Sequence, residues 1–222
     1  KLVLVFANSA NSNYPAYTIG TVTTNAVSWT TPTVIFSTAN DADLGVCYNA
    51  TEDRIVVACL TASLPKVISG TSDGSTITWG SLVTVTTNPG GYATIWRFSN
   101  IVEWPGTSKV VWASTDMTNY ATFTACGTLS GSGASATSTW GTAIAVTASG
   151  YSDYGRLVQM CYDHGTGDQV ILTYGVSTTN VYAVAVAISG TTMTSGTPVS
   201  AISASMGQYA NALAYDTDNN KA

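Results

Sequence analysis

The sequence predicts an all-β fold, a β-propeller built from four-stranded antiparallel blades. One observation behind this prediction is composition: β-branched, aromatic and small hydroxyl residues dominate the 222 residues, and only 9% are charged. Such residues favour strands and tight turns, and no 3.6-residue apolar stripe persists. The other is a recurring phrase, which reads STITWGSLVTV from Ser75, STWGTAIAV from Ser138, MTSGTPVSA from Met193 and, more faintly, VSWTTPTVIF from Val27.

Each repeat of about 50 to 60 residues contains four short strands, which we call a, b, c and d. Strand a ends in motifs such as CYN at Cys47 or AYD at Ala214. Strand c resembles VYAVAVAISG from Val181, and strand d is the recurring phrase. Strand b opens with a basic or polar residue and continues as an apolar run: KLVLVF at Lys1, RIVVACL at Arg54, KVVWAS at Lys109 and QVILTY at Gln169.

The chemistry of each strand and turn favours a blade. Strand b is apolar at consecutive positions, so both of its faces are expected to be buried. Polar turns of Asn, Asp and Gly join a to b, and turns such as SGT at Ser69 and Ser189 or SGS at Ser130 join c to d. Both kinds of turn have the residues that are typical of tight β-hairpin turns. A four-stranded meander covered on both faces is typical of a propeller blade.

We predict a single domain spanning 1–222, with repeats of approximately 1–53, 54–108, 109–168 and 169–222. The chain opens on a strand b and ends just after a strand a, so it is expected to be a processed product or a piece of something longer. The last strand a could pair with Lys1 to Phe6 and close four blades. Two alternatives stay open: the repeats belong to a larger ring, or the ends pair between chains, as a dimeric ring or head to tail.

Tryptophan occupies the same place in three of the strand d phrases, at Trp29, Trp79 and Trp140, whereas the fourth repeat has Ser195. The rings are expected to lie between neighbouring blades, where each would bury about 150–250 Å². The alternative is a row of aromatic platforms for sugar rings.

Composition also excludes several functions. The net charge is −5 with 7 Lys and Arg and no basic run, so nucleic-acid binding is not expected. No apolar stretch is long enough for membrane insertion. The cysteines show no CxxC spacing, and we expect buried free thiols and no zinc; a disulfide between Cys47 and Cys59 is the alternative. All four are Cys47, Cys59, Cys126 and Cys161.

Titratable groups are few, and no catalytic residue, metal site or cofactor is predicted. The lone histidine, His164, lies in a polar turn, and no GxSxG motif accompanies it. Asp216 and Asp218 lie in a segment with some likeness to a calcium loop, but the central Gly and distal Glu are missing. Glu52 and Glu103 are the only glutamates, and spacing alone does not pair them for glycoside hydrolysis.

Two resemblances follow from these motifs. The stretch SGTSDGSTITW, from Ser69 to Trp79, resembles the Asp-box hairpin of sialidase-type propellers, in fold rather than activity. The cycle carried by 214–221, 109–113 with 169–174, and 189–199 resembles the repetitive propeller modules of tail-fibre and tail-tip proteins from bacteriophages, particularly marine ones. That resemblance implies a structural or host-recognition module on a virion, with no catalytic residue to transfer.

The function expected from these observations is a non-enzymatic, adhesin-like module in a virion or extracellular setting. Its partners would be a host-surface glycan or protein and other appendage subunits, including further copies of itself. Loops on a rigid scaffold carry recognition. The candidate ligand contacts are Tyr14, Tyr17, Tyr92, Trp104, Tyr151 and Tyr154. A self-assembling shell or filament subunit, and a glycan-degrading enzyme of the sialidase-like propeller type, are the alternatives.

Overall fold

The computed structural model describes residues 1–40, 44–86, 96–116, 121–146, 158–165, 168–177, 180–203, 213–214 and 216. These residues form four antiparallel sheets, and the remaining elements are short 3-10 turns at Ser9–Asn11 and Gly133–Ser135. The predicted all-β class is therefore confirmed.

The four sheets follow one another along the chain, and sheets 2 to 4 each begin with the strand a that ends the preceding predicted repeat. Sheet 1 contains β1 (Leu2–Asn8), β2 (Tyr14–Val22), β3 (Val27–Trp29) and β4 (Thr33–Val34). Sheet 2 contains β5 (Gly45–Asn49), β6 (Arg54–Thr61), β7 (Leu64–Ser72), β8 (Ile77–Trp79) and β9 (Val83–Thr84). Sheet 3 contains β10 (Trp96–Trp104), β11 (Lys109–Asp116), β12 (Ala121–Ser130), β13 (Thr137–Trp140) and β14 (Ile144–Ala145). Sheet 4 contains β15 (Val158–Tyr162), β16 (Gln169–Ser177), β17 (Asn180–Ser189), β18 (Thr192–Ser195) and β19 (Val199–Ser203).

Within sheets 2 to 4 the strands pair in the predicted order a, b, c, d, as in β5-β6-β7-β8. Strand d differs from the prediction because it is split into two pieces, both of which pair with strand c. In sheets 2 and 3 the break follows the Trp-Gly step of the recurring phrase. Gly80 lies directly against the carbonyl of Ala136 in sheet 3, and the Ser81 N–H donates to that carbonyl at 2.8 Å. A side chain at Gly80 would block this close approach of two backbones.

The sheets pack face to face in chain order, with one apolar core between each neighbouring pair. Strand b supplies both sides of its sheet. In β6, Ile55 and Val57 enter the core shared with sheet 1, whereas Val56 and Ala58 enter the core shared with sheet 3. We call the face toward the preceding sheet the N-side face and the other the C-side face. The prediction of a strand b buried on both faces is confirmed for β6 and largely for β11.

Strand β16 is less covered, since Ile171 is only half-buried, and strand β1 departs from that prediction most. Leu2 and Leu4, on its N-side face, are 44% and 49% exposed, because no described sheet packs there. No described strand pairs with the outer edge of β1 either. Asp216 forms an isolated β-bridge, but most of the segment predicted to close the ring lies outside the described residues. Closure into a propeller therefore stays a prediction.

The tryptophans of strand d lie over glycines of strand c. The register pairs Trp29 with Gly20, Trp79 with Gly70 and Trp140 with Gly127. A Cβ on these glycines would lie 2.8, 2.8 and 2.7 Å from a carbon of the facing ring. In sheet 4 the same pair is Val186 with Ser195, so loss of the large ring coincides with gain of a side chain beneath it. Trp79 and Trp140 pack into the inter-sheet cores as predicted, whereas Trp29 is 48% exposed.

All four cysteines are free thiols, as predicted, although Cys47 and Cys161 are only half-buried. The alternative disulfide is excluded by the register, which pairs Cys47 with Val56 and Cys59 with Lys66. Burial raises the pKa of Cys59 to about 12 and that of Cys126 and Cys161 to about 11, and it also raises the pKa of Cys47.

We expect these thiols to react very slowly with iodoacetamide at pH 8, because only the thiolate is nucleophilic. A thiol with a pKa near 11 is ionised in about one molecule in a thousand at that pH. The modification rate should rise steeply as the pH approaches 11, and chain unfolded in urea should react rapidly at pH 8. Rapid modification of the folded chain at pH 8, followed by mass spectrometry, would contradict this expectation.

Candidate functional site

A cleft of about 560 Å³ opens between sheets 1 and 2, at the side where their first strands lie. Its walls are mostly apolar, and a lysine, a tyrosine and a serine among the lining residues can make polar contacts. The lining residues are Lys1, Val3, Ile19, Val46, Cys47, Tyr48, Ile55, Ser72 and Gly74. A concave apolar surface with few polar groups is the usual form of a small-ligand site.

Sheet 1, as far as the structure describes it, begins with its strand b, β1, and contains no counterpart of β5. In sheets 3 and 4 the N-side face of strand a is covered by the preceding sheet, and Ile101 and Met160 are 2% and 5% exposed. Val46 occupies the same register position in β5 and is 43% exposed. Tyr48, two residues on, is 51% exposed. Sheet 2 therefore presents an apolar strand and an aromatic ring to solvent.

The ring of Tyr48 is held in place by its hydroxyl. This hydroxyl donates to a carboxylate oxygen of Asp53 at 2.6 Å, and that hydrogen bond raises the pKa of the Tyr48 phenol. Asp53 lies in the turn that joins β5 to β6, so the bond spans one hairpin. With its hydroxyl engaged, Tyr48 offers a flat apolar face rather than a free polar group.

The hairpin that carries Tyr48 is tied to sheet 3. The Asn49 side-chain amide donates to the carbonyls of Thr107 and Lys109 at 2.9 and 3.1 Å. The Ala50 N–H donates to the Glu103 carboxylate at 3.1 Å. These bonds cross between sheets and fix the wall of the cleft to a rigid scaffold.

The rim of the cleft is formed by the hairpin turn after β7. Asp73 accepts hydrogen bonds from the N–H groups of Thr76 and Ser75, both at 2.7 Å, and from their hydroxyls at 2.9 and 2.8 Å. These bonds hold the pKa of Asp73 well below its usual range. With both of its oxygens engaged, the carboxylate stabilises the turn and is not available as a proton acceptor. This is the turn whose sequence resembles an Asp-box.

A second aromatic group lies at the equivalent hairpins of sheets 3 and 4. The ring centroids of Trp104 and Tyr162 are 6.2 Å apart, and His164 stands edge-on to Tyr162 at 5.1 Å. The Lys109 ammonium lies 4.5 Å from the Trp104 ring. Trp104 is buried in the core between sheets 3 and 4, so its ring offers little surface to a ligand, whereas Tyr162 is half-buried and His164 is exposed.

No protein-family model, curated protein or solved structure matches this chain. The resemblance to phage tail-fibre modules accordingly stays an expectation carried by the motifs. Among the described residues, no helix is long and apolar enough to cross a membrane. No three His, Cys, Asp or Glu side chains of that part of the chain are grouped so that they could hold a metal ion.

The structure separates the predicted contact residues. Tyr14 is half-buried at the start of β2, and Tyr17 is buried against Trp79 at 5.6 Å, with its hydroxyl accepting from the Ile77 N–H at 3.1 Å. Trp104 is buried between sheets 3 and 4. The other three, Tyr92, Tyr151 and Tyr154, lie outside the described residues.

Sequence reasoning missed Val46 and Tyr48. Tyr48 lies in the motif CYN, which marks the repeat, and Val46 comes directly before that motif. The motif carries no signal for a site, because the exposure of both side chains depends on whether another sheet faces β5. The glutamates serve the scaffold: Glu52 pairs with Arg54 at 3.3 Å, and Glu103 accepts from the Ala50 N–H.

Proposed function

We propose that the chain is a non-enzymatic recognition and structural module of a virion appendage or other extracellular assembly, and that the cleft between sheets 1 and 2 binds a surface glycan. The observation that carries this proposal is the exposed, immobilised ring of Tyr48 above an apolar cleft. The apolar face of a sugar ring can stack on such an aromatic surface, as ligands do in concave sites with few polar groups.

Polar contacts at the cleft are consistent with a hydroxylated ligand. Lys1 and Ser72 lie among its lining residues and can donate hydrogen bonds to sugar hydroxyls or carboxylates. The repeat chemistry supports the wider setting: low charge, abundant hydroxyl side chains and the tail-fibre resemblance all favour a surface-exposed structural module. The carboxylates of this region are engaged in hydrogen bonds or an ion pair within the protein, which supports a scaffold rather than catalysis.

The test is binding of the chain to an array of bacterial surface polysaccharides, followed by affinity measurements on the glycan that binds best. We expect Tyr48→Ala to weaken binding tenfold or more, which corresponds to about 1.4 kcal/mol. Tyr48→Phe is the matched control: it keeps the stacking face and loses only the bond to Asp53, so binding should fall by much less.

Two results would contradict this proposal. One is the absence of any glycan ligand on the array, and the other is unchanged affinity in Tyr48→Ala. Turnover of a bound glycan that is lost in Glu52→Gln or Glu103→Gln would instead favour the enzymatic alternative.

A further inference from the structure

One end of the N-side face of sheet 1 is an exposed apolar surface. Leu2, Leu4 and Trp29 are 44%, 49% and 48% exposed, and Val22 and Val27 beside them are also exposed. The register makes these positions neighbours, since Leu2 pairs with Gly20, which pairs with Trp29, and Val22 pairs with Val27. A contiguous apolar patch of this kind is unusual on a monomer and marks an interaction surface.

The same register positions are buried in the other three sheets. Leu2 faces Gly20 across the β1–β2 pair, and its counterparts face Gly70, Gly127 and Val186 across the corresponding pairs. Those counterparts are Ile55, Val110 and Val170, and the counterparts of Leu4 are Val57, Trp112 and Leu172. All six are buried because each enters a core shared with the preceding sheet. Sheet 1 therefore has apolar side chains at the positions that make this contact, but no described sheet packs against them.

The C-side face of sheet 4 corresponds to the other partner in this type of contact, the face that packs on the following sheet. Its residues Ile171, Ala183 and Ala185 occupy the register positions of Val111, Thr124 and Cys126 in sheet 3. Val111 and Cys126 are buried in the core against sheet 4. On sheet 4 itself, Ile171, Ala183 and Ala185 are only half-buried, and Val199 beside them is 61% exposed.

We propose that sheet 4 of a second copy of this chain packs on the N-side face of sheet 1, head to tail. The joint repeats the sheet-on-sheet contact that the chain makes three times internally. Large side chains, Leu2, Leu4 and Trp29, would meet small ones, Ala183 and Ala185, around Ile171, which matches shape across the joint. Within a single chain Leu2 and Leu4 stay exposed, so its own sheet 4 does not cover them.

A joint between two different faces is heterologous, so copies join into a closed ring or an open filament. The proposal concerns the outer faces of the stack, whereas the glycan cleft lies between sheets 1 and 2. A negative result for one of these two proposals would therefore not contradict the other.

The experiment is sedimentation velocity of the chain from micromolar to millimolar concentration. We expect the native chain to associate, and Leu4→Lys or Val199→Lys to remain monomeric, because each places a charge in the joint. The matched control is Val46→Lys, a similarly exposed valine that faces the cleft, which should associate as the native chain does. All three positions are exposed, so thermal melts should show that the variants fold.

A mixture of Leu4→Lys and Val199→Lys tests whether the joint forms between two different faces. Leu4→Lys keeps a native sheet 4 face and Val199→Lys keeps a native sheet 1 face, so the mixture should form dimers and nothing larger. A native chain that is monomeric at every concentration would overturn the proposal. Association of Val199→Lys equal to that of the native chain would also overturn it, because it would indicate two sheet 1 faces in contact.

Discussion

Gly127→Val is expected to destabilise the folded chain by about 2–3 kcal/mol, because the new side chain has no room beneath Trp140. A Cβ at Gly127 would lie 2.7 Å from the ring, and real Cβ atoms do not approach so closely. Valine is otherwise well suited to a strand, and Val186 occupies the same register position in sheet 4, opposite Ser195. The loss in the free energy of unfolding, measured by urea denaturation, would therefore reflect only the clash between the new side chain and the Trp140 ring.

The compensating change is Trp140→Ser, which reproduces the Val186–Ser195 pair of sheet 4 in sheet 3. Alone, it removes a ring packed on the core between sheets 2 and 3 and should also destabilise. In the double variant the valine fills part of the space that the ring leaves. We expect a favourable coupling energy of about 1–3 kcal/mol in the double-mutant cycle. Costs that simply add would show that the two residues are not coupled.

Arg54→Met should destabilise the chain by about 3 kcal/mol, because it strips a buried cation from its acceptors. Arg54 is 2% exposed; its guanidinium donates to the carbonyl of Ser130 at 2.8 Å and to that of Gly131, and pairs with Glu52. One carbonyl belongs to the last residue of β12 and the other to the turn that follows, so the side chain ties sheet 2 to sheet 3. Methionine fills the volume but leaves the carbonyls without this donor.

Lys109→Met is the matched control for Arg54→Met. Lys109 opens a strand b in sheet 3, as Arg54 does in sheet 2, but it is only half-buried, and its ammonium lies 4.5 Å from the centre of the Trp104 ring. Loss of that cation–π contact should cost about 1 kcal/mol or less. Equal costs for the two variants, by urea unfolding, would mean that the hydrogen bonds of Arg54 contribute nothing beyond the charge.

The repeat pattern predicted the local structure well. Four recurrences of one phrase predicted four meanders, and the consecutive apolar residues of strand b predicted burial on both faces, as Val56 and Val57 show. These are properties of a strand and its immediate partners, which sequence spacing encodes directly.

What spacing could not predict is whether a neighbouring sheet is present. Trp29 and Trp140 stand in the same phrase and over equivalent glycines, yet Trp29 is 48% exposed and Trp140 packs on a core. The difference lies in what faces each ring, which is a tertiary property. The same reason explains why Tyr48 was missed as a site residue and why buried Tyr17 and Trp104 were favoured.

The stack of cores has a consequence for how the chain comes apart. Among the described residues, sheets 2 and 3 each share two cores with neighbours, whereas sheets 1 and 4 each share one. In such linear arrays stability is roughly a sum of unit and nearest-neighbour terms, so the units at the two ends open first. Local unfolding of sheet 1 breaks a single inter-sheet interface. Sheets 2 and 3 are therefore expected to stay folded until the sheets at both ends have unfolded.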